Sequence, residues 1–356
     1  MPTKISVLIV LAIVCPVILI ISLFWAHDNR QQKKNGFIRR MLSNPKMDKS
    51  IILDNASWYI AGTRNDQLYL CNYGDPESIL TLHLTTSDTQ HLAVKIRQDL
   101  KIAWSTLKCA TLNEQLLAYE GNVPNIFQGN IHTRILERLP VDSIRFDQLV
   151  PVSSASFVVR KWKDGQGFTT LFLQHHNVLS TTELSLDTGH AVGFASDGAL
   201  MYDQASAKLV YLYTYANRFL SIDTGLLQVY QHHSIDTIRH PQLITDTLVS
   251  KNKVILAAPP LIVNRRGTAA QGLLFIHSGL KADNELSNAF DLAPVIDVYH
   301  IADGSYRGSF YLPNFSTGKL TDLKASANHL IAMNGEIIQV YRLPAAFTAA
   351  QQGLAK

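Results

Sequence analysis

The chain contains thirteen histidines, and two adjacent pairs, His175-His176 and His232-His233, are the residues whose spacing first invites chemistry. Imidazole nitrogens bind zinc or copper where three or four converge. Adjacent side chains on a strand point to opposite faces, so each pair can offer one ligand to a shared centre. His175 and His232, joined at a common axis by His300 or by His240, are the candidate metal ligands and the basis of a metal-binding or enzymatic reading. The plainer reading leaves these histidines at loops and strand edges, satisfied by backbone and water.

A second candidate is the stretch Leu256 to Gly267, LAAPPLIVNRRG. Pro259 and Pro260 cannot donate to a strand ladder, so a strand ends or bulges there. Asn264, Arg265 and Arg266 then project from a loop in which two guanidinium groups and an amide can meet an anionic ligand. The insertion Gly279 to Leu292 is another long loop of the kind that carries binding surfaces on rigid scaffolds. Asp164-Gly165, Asp197-Gly198 and Asp303-Gly304 lack the D-x-D-x-D-G spacing of a calcium loop and read as hairpin turns. The chain has no G-x-S-x-G, no H-E-x-x-H, no phosphate-binding loop and no G-x-G-x-x-G. No catalytic residue and no cofactor is therefore assigned.

The first element behind these residues is an anchor. Ile5 to Trp25 runs without a charge. At 1.5 Å per residue such a helix reaches about 31 Å, enough to cross a bilayer core. Leu23, Phe24 and Trp25 are too bulky for a signal-peptidase site, so residues 1–25 read as an uncleaved transmembrane helix whose bilayer contact is residues 5–25. Residues 26–49 read as a basic stalk. The first fifty residues hold eight Lys and Arg against Asp28 and Asp48, a balance of +6, which leaves −2 of the net +4 for the rest. A nearly neutral folded part has no nucleic-acid footprint. The positive-inside count favours a cytoplasmic domain, whereas large domains translocate regardless of charge. Of the three cysteines, Cys15 lies in the apolar segment, and Cys71 and Cys109 are either buried thiols or a pair.

From Ser50 onward short alternating runs follow one another, broken by Gly, Asn, Asp and Pro, the pattern of an all-β fold. A six-residue phrase recurs: LSLDTG at Leu184 to Gly189, LSIDTG at Leu220 to Gly225, and a looser YHIADG at Tyr299 to Gly304. Each copy reads as a strand that ends in a tight turn with positive φ at its Gly. The spacing of 36 residues, and of 79 to the third copy, gives a period of about 40, the mark of a β-propeller. Grouped by that period, residues 50–344 give six blades, with seven the alternative and a large sandwich the competing architecture. Closure needs a strand from one terminus beside the other, for which Ser50 to Asp54 against Ile337 to Tyr341 is the candidate pair. Tyr211, Tyr213 and Tyr215 alternate onto one face, as residues packed between blades do. Residues 345–356 read as a flexible tail.

The wording of Ala195 to Asp223, of Leu256 to Asn264 and of Pro294 to Asn314 (PVIDVYHIADGSYRGSFYLPN) resembles a family of membrane-anchored, propeller-like proteins of Bacteroidetes-type bacteria. More loosely it resembles six-bladed propellers of those bacteria with V-Y-D-L-x-x-G strands. The resemblance implies the fold, the anchoring and a domain outside the cytoplasm; it supplies no catalytic motif. The expected protein is a single-pass, membrane-anchored propeller that binds or scaffolds a protein or small ligand, with a protein partner at the membrane.

Overall fold

Alternating apolar runs closed by Asn, Asp and Gly turns become antiparallel sheets because each strand can bury one face only against a neighbour. The computed structural model describes residues 14–22, 34–97, 107–140, 145–162, 169–175, 178–186, 193–248, 253–315, 319–344 and 347. Six sheets of four or five strands follow one another around a ring, with a separate two-stranded hairpin between the fourth and fifth. The inner strands of blades 1 to 6 are Trp58–Arg64, Lys108–Leu112, Phe146–Ser153, Gly198–Asp203, Asn264–Ala270 and Asp322–Ala325. The architecture is the expected all-β, six-bladed propeller.

The ring closes as the terminal strands demand. Lys46–Ile52 supplies the outer strand of blade 6, antiparallel to Ile337–Arg342, with Ser50 opposite Gln339 and Ile51 opposite Ile338. The strand begins at Lys46, inside the span expected as stalk, because its backbone pairs from Lys46 opposite Arg342 onward; the Lys49 ammonium also donates to the Thr85 carbonyl at 2.9 Å and to Ser87 Oγ at 2.7 Å.

One apolar cluster seals each junction. Leu68, Leu70 and Leu82 of blade 1 meet Ile331, Ile338 and Val340 of blade 6, and equivalent clusters join every other neighbouring pair. A lone blade would leave both faces wet, so the ring is the unit of stability. Tyr211 and Tyr213 lie edge to face, 5.1 Å apart, inside the junction of blades 3 and 4. Gly62 lets inner strands approach: a Cβ there would lie 2.9 Å from the Thr111 carbonyl oxygen. Cys71 and Cys109 are buried free thiols between blades 1 and 2. Phe347, expected in a flexible tail, is buried against Phe275 and Phe310.

The repeated phrase does not mark a period. Leu184 and Ser185 end the outer strand of blade 3, Val178–Ser185, whereas Leu220 to Asp223 end the third strand of blade 4, Arg218–Asp223. Tyr299 and His300 end the third strand of blade 5, so the second and third copies are equivalent and one blade apart. Insertions at 234–263 and 279–294 stretch that one blade to 79 residues. In the second copy the left-handed residue is Leu226, φ 59°, after Gly225; in the third it is Gly304, φ 71°. Asp223 ties its turn through Oδ1, which accepts the Leu227 amide at 2.8 Å. Gly189 and Asp164-Gly165 lie outside the described residues.

Residues 14–22 are helical. Among the described residues no helix is long and apolar enough to cross a membrane, and the rest of the expected span, 5–13 and 23–25, lies outside them.

Candidate ligand-binding cavity

Every inner strand runs the same way, so the ring has a leading end, where inner strands begin, and a trailing end, where they turn into second strands. The strands leave a cavity of about 480 Å³ along the axis, reaching the trailing end. Its mouth is set by turns that need a left-handed residue: Asn65, Asn113 and Gln271 have φ of 51°, 56° and 55°. Asn tolerates that conformation and supplies a polar side chain at the rim. Gln204 Nε2 donates to Asn113 Oδ1 at 3.2 Å, which joins the turns of blades 4 and 2 at the mouth. A second hollow of about 730 Å³ at the trailing end shares Arg64 and Asn113 with the axial cavity. Arg64 is held there by Glu114 at 2.9 Å.

The charged residues that line the cavity are Arg64, Lys108, Asp203, Asp322 and Lys324, and of these Lys324 lies on the inner strand of blade 6. It is half-buried there, two residues from Asp322 and so on the same strand face. Burial pulls its ammonium below the usual lysine range, while Asp322 and Asp203 act in the opposite sense. Both carboxylates are already engaged. Asp322 Oδ2 accepts the Ile60 amide at 2.9 Å and its Oδ1 accepts the Leu323 amide at 2.8 Å. Asp203 Oδ2 accepts the Gly272 amide at 2.7 Å and the Ser206 hydroxyl at 2.6 Å. Burial raises Asp322 above the ordinary carboxylate range, against the amides of Ile60 and Leu323, which favour its charge. Among the described residues Lys324 joins no ion pair; the charges that favour its ammonium are those of Asp322 and Asp203, and it lines a polar hollow.

The candidates read from sequence lie elsewhere. Asn264 is buried and structural: its Nδ2 donates to the carbonyls of Tyr213 at 2.9 Å and Ala216 at 3.0 Å. Arg265 and Arg266 belong to the start of the inner strand of blade 5, because the chain resumes its ladder four residues after Pro260. Arg265 is exposed at the leading end, and Arg266 Nε donates to the Leu320 carbonyl at 2.9 Å. The three residues thus do not form one site.

His232 and His300 do not lie at the axis. His232 sits on the outer strand of blade 4, its ring 5.1 Å from that of Phe219. His300 ends the third strand of blade 5 and meets Asp303 at 3.2 Å. These two approach through the Asp303-Gly304 turn on the outer rim, since His232 feels the Asp303 charge and Gly304 abuts its ring. The His175 side chain and His176 lie outside the described residues. Among the described residues no three His, Cys, Asp or Glu gather as a metal site.

His277, beside Arg265 and Arg266, carries a pH prediction. It is 8% exposed, and its Nδ1 has no partner among the described residues. Burial, then repulsion from Arg265 and Arg266, pushes its pKa down to about 3. Above the ordinary histidine value of about 6.5 folded and unfolded chains are both neutral here; below it only the unfolded chain takes the proton. Stability from this site is therefore present above pH ~6.5 and falls with pH by up to about 1.4 kcal/mol per unit until the folded pKa is reached. His277→Leu should flatten the denaturation midpoints between pH 7 and 5; an unchanged slope would assign the acid sensitivity to other groups.

Neither a protein-family model nor a curated protein matches the chain. Solved structures similar to it include a member of the DUF4221 family from Bacteroides vulgatus, at 10% identity over 87% of this chain and 98% of the other, TM-score 0.47. A chain of the mitotic checkpoint complex is 9% identical over 86% and 98%, TM-score 0.45. The β-propeller domain of Myceliophthora thermophila Cps50 (Swd1) is 10% identical over 84% and 100%, TM-score 0.42.

Proposed function

We propose that the protein is a non-catalytic binding module held at a membrane by residues 5–25, and that its ligand presents a small anionic group to Lys324 in the axial cavity. The observation that carries this reading is the pairing of a 480 Å³ axial hollow with a half-buried lysine whose neighbouring carboxylates are engaged by backbone amides. A cation with no carboxylate in direct ion-pair contact can donate charge-assisted hydrogen bonds to an incoming anion, and these outweigh neutral ones. A carboxylate or phosphate group fits; the adjoining hollow above blade 2 gives room for the rest of a peptide or small-molecule ligand.

The anchor rests on the uncharged run Ile5 to Trp25. Kinship with membrane-anchored propellers of Bacteroidetes-type bacteria rests on the three phrases that resemble them, and with it goes a domain outside the cytoplasm. A carboxy-terminal reporter active only outside the cytoplasm should be active; silence would put the ring on the other side.

The binding reading is tested on the full chain released in mild detergent. Native mass spectrometry should find a co-purifying acidic small molecule or peptide that is absent from Lys324→Met. A ligand retained equally by both would contradict the role of the lysine.

A further inference from the structure

The two ends of the ring differ in what they expose. At the leading end Ile52, Val123, Leu286 and Leu292 are 73%, 69%, 73% and 76% exposed. The hairpin Thr245–Leu248 with Lys253–Leu256 springs from the same end, since its flanks are fastened there: the Asn217 amide donates to the Ile238 carbonyl at 2.8 Å and the Val263 amide to the Thr214 carbonyl at 2.9 Å. Among the described residues these two strands pair only with each other, and Ile244, Val254 and Ile255 are exposed, as are Leu261 and Ile262. A two-stranded sheet is marginal in water without something to cover a face.

The amino-terminal segment joins the ring at this same end. The Asn35 amide donates to Asp283 Oδ1 at 2.7 Å, Asn35 Nδ2 to the Lys281 carbonyl at 2.8 Å, and Thr237 Oγ1 to the Asn35 carbonyl at 2.7 Å. Phe37 is buried with Val263, Leu280 and Ala282. Ten residue steps separate Trp25 from Asn35, a reach of at most about 35 Å. Arg30, Lys33 and Lys34 lie between them, and at the leading end Arg239 and Arg265 are exposed together with Asp246, Asp283 and Asp291.

We propose that the leading end is a membrane-contact face, in which the paired strands Thr245–Leu248 and Lys253–Leu256, the 257–262 loop and Leu286 and Leu292 press into the headgroup boundary of the bilayer that holds residues 5–25. The inference rests on the anchor reading. Basic residues flanking an apolar surface suit anionic headgroups, and the tether confines that surface to the bilayer. The axial cavity, opening at the trailing end, then faces away from the membrane.

The test uses the full chain with Cys15→Ser in anionic-lipid nanodiscs, with a polarity-sensitive dye on Val254→Cys, on Leu292→Cys or, as the trailing-end control, on Leu227→Cys. Nitroxide-labelled lipids should quench the first two several-fold more than the third, with a blue-shifted emission. Equal weak quenching at all three sites in a chain that resists alkaline carbonate extraction would overturn the face and spare the anchor. A chain that washes off in carbonate refutes the anchor and the face with it. Blue-shifted dyes that lipid nitroxides fail to quench, in discs that hold two chains, would assign the face to a second copy and overturn lipid contact.

Discussion

Replacing Arg39 with methionine should destabilise the ring by about 3–5 kcal/mol, the scale for removing one member of a buried ion cluster. Arg39 is 3% exposed, in a segment that the sequence reads as stalk. Its Nε meets Asp297 Oδ1 at 2.7 Å, its Nη1 meets Glu285, and its Nη2 donates to the Leu280 carbonyl at 3.0 Å. Burial opposes the charge, but hydrogen bonds and attraction from Asp297 and Glu285 more than offset it, and the guanidinium is held more firmly protonated than usual. Tyr311 Oη and Ser309 Oγ donate to the same carboxylates. Removing the cation alone strands two buried carboxylates. The triple change Arg39→Met, Glu285→Gln, Asp297→Asn should recover much of the loss, read by denaturant midpoints of the full chain. A single variant as stable as the parent would show that the segment is not fastened through this cluster.

Lys324→Met should have the opposite profile: stability unchanged or improved, because a half-buried charge is replaced by an apolar side chain, and small-anion binding weakened at least tenfold. A hydrogen bond to a charged partner contributes about 1.5–3 kcal/mol, which corresponds to that factor or more. The pH dependence follows from the sign of the shift. Burial lowers the lysine pKa, so anion binding should fade as pH rises through a value below the ordinary lysine range. Titration calorimetry of the full chain with inorganic phosphate or citrate at several pH values reads both effects. Loss of binding with loss of stability would instead mean that Lys324 holds the inner strand in place.

The fold was legible where local pattern and topology agree. Ser50 to Ile52 alternates like a strand and had to find a partner, and Ile337 to Tyr341 was the unpaired run at the other terminus, so the closing pair could be read directly. The six blades were legible from strand counts, although not from the repeated phrase, whose first two copies end strands of different rank. The inner strand of blade 3 contains Pro151. The proline is tolerated because an inner strand is a sheet edge, where a missing N–H faces the axis.

The site was harder to read. Lys324 stands between Leu323 and Ala325, the alternation of any strand with a wet face. Only the ring turns that wet face into an axial cavity, which no local pattern records. Arg39 was lost among the basic residues of the stalk because its carboxylates lie about 250 positions away in sequence. The histidine pairs and the Arg265-Arg266 pair drew notice by adjacency, but adjacent strand residues point apart; His232 lies on an outer strand, and Arg266 donates to the Leu320 carbonyl while Arg265 is exposed.

Anomalous diffraction from crystals of the full chain soaked in bromide tests the axial anion site most directly. A bromide peak in the axial cavity beside Lys324, absent from Lys324→Met crystals soaked alike, is the predicted result. Bromide at surface arginines and lysines with none in the cavity would contradict it.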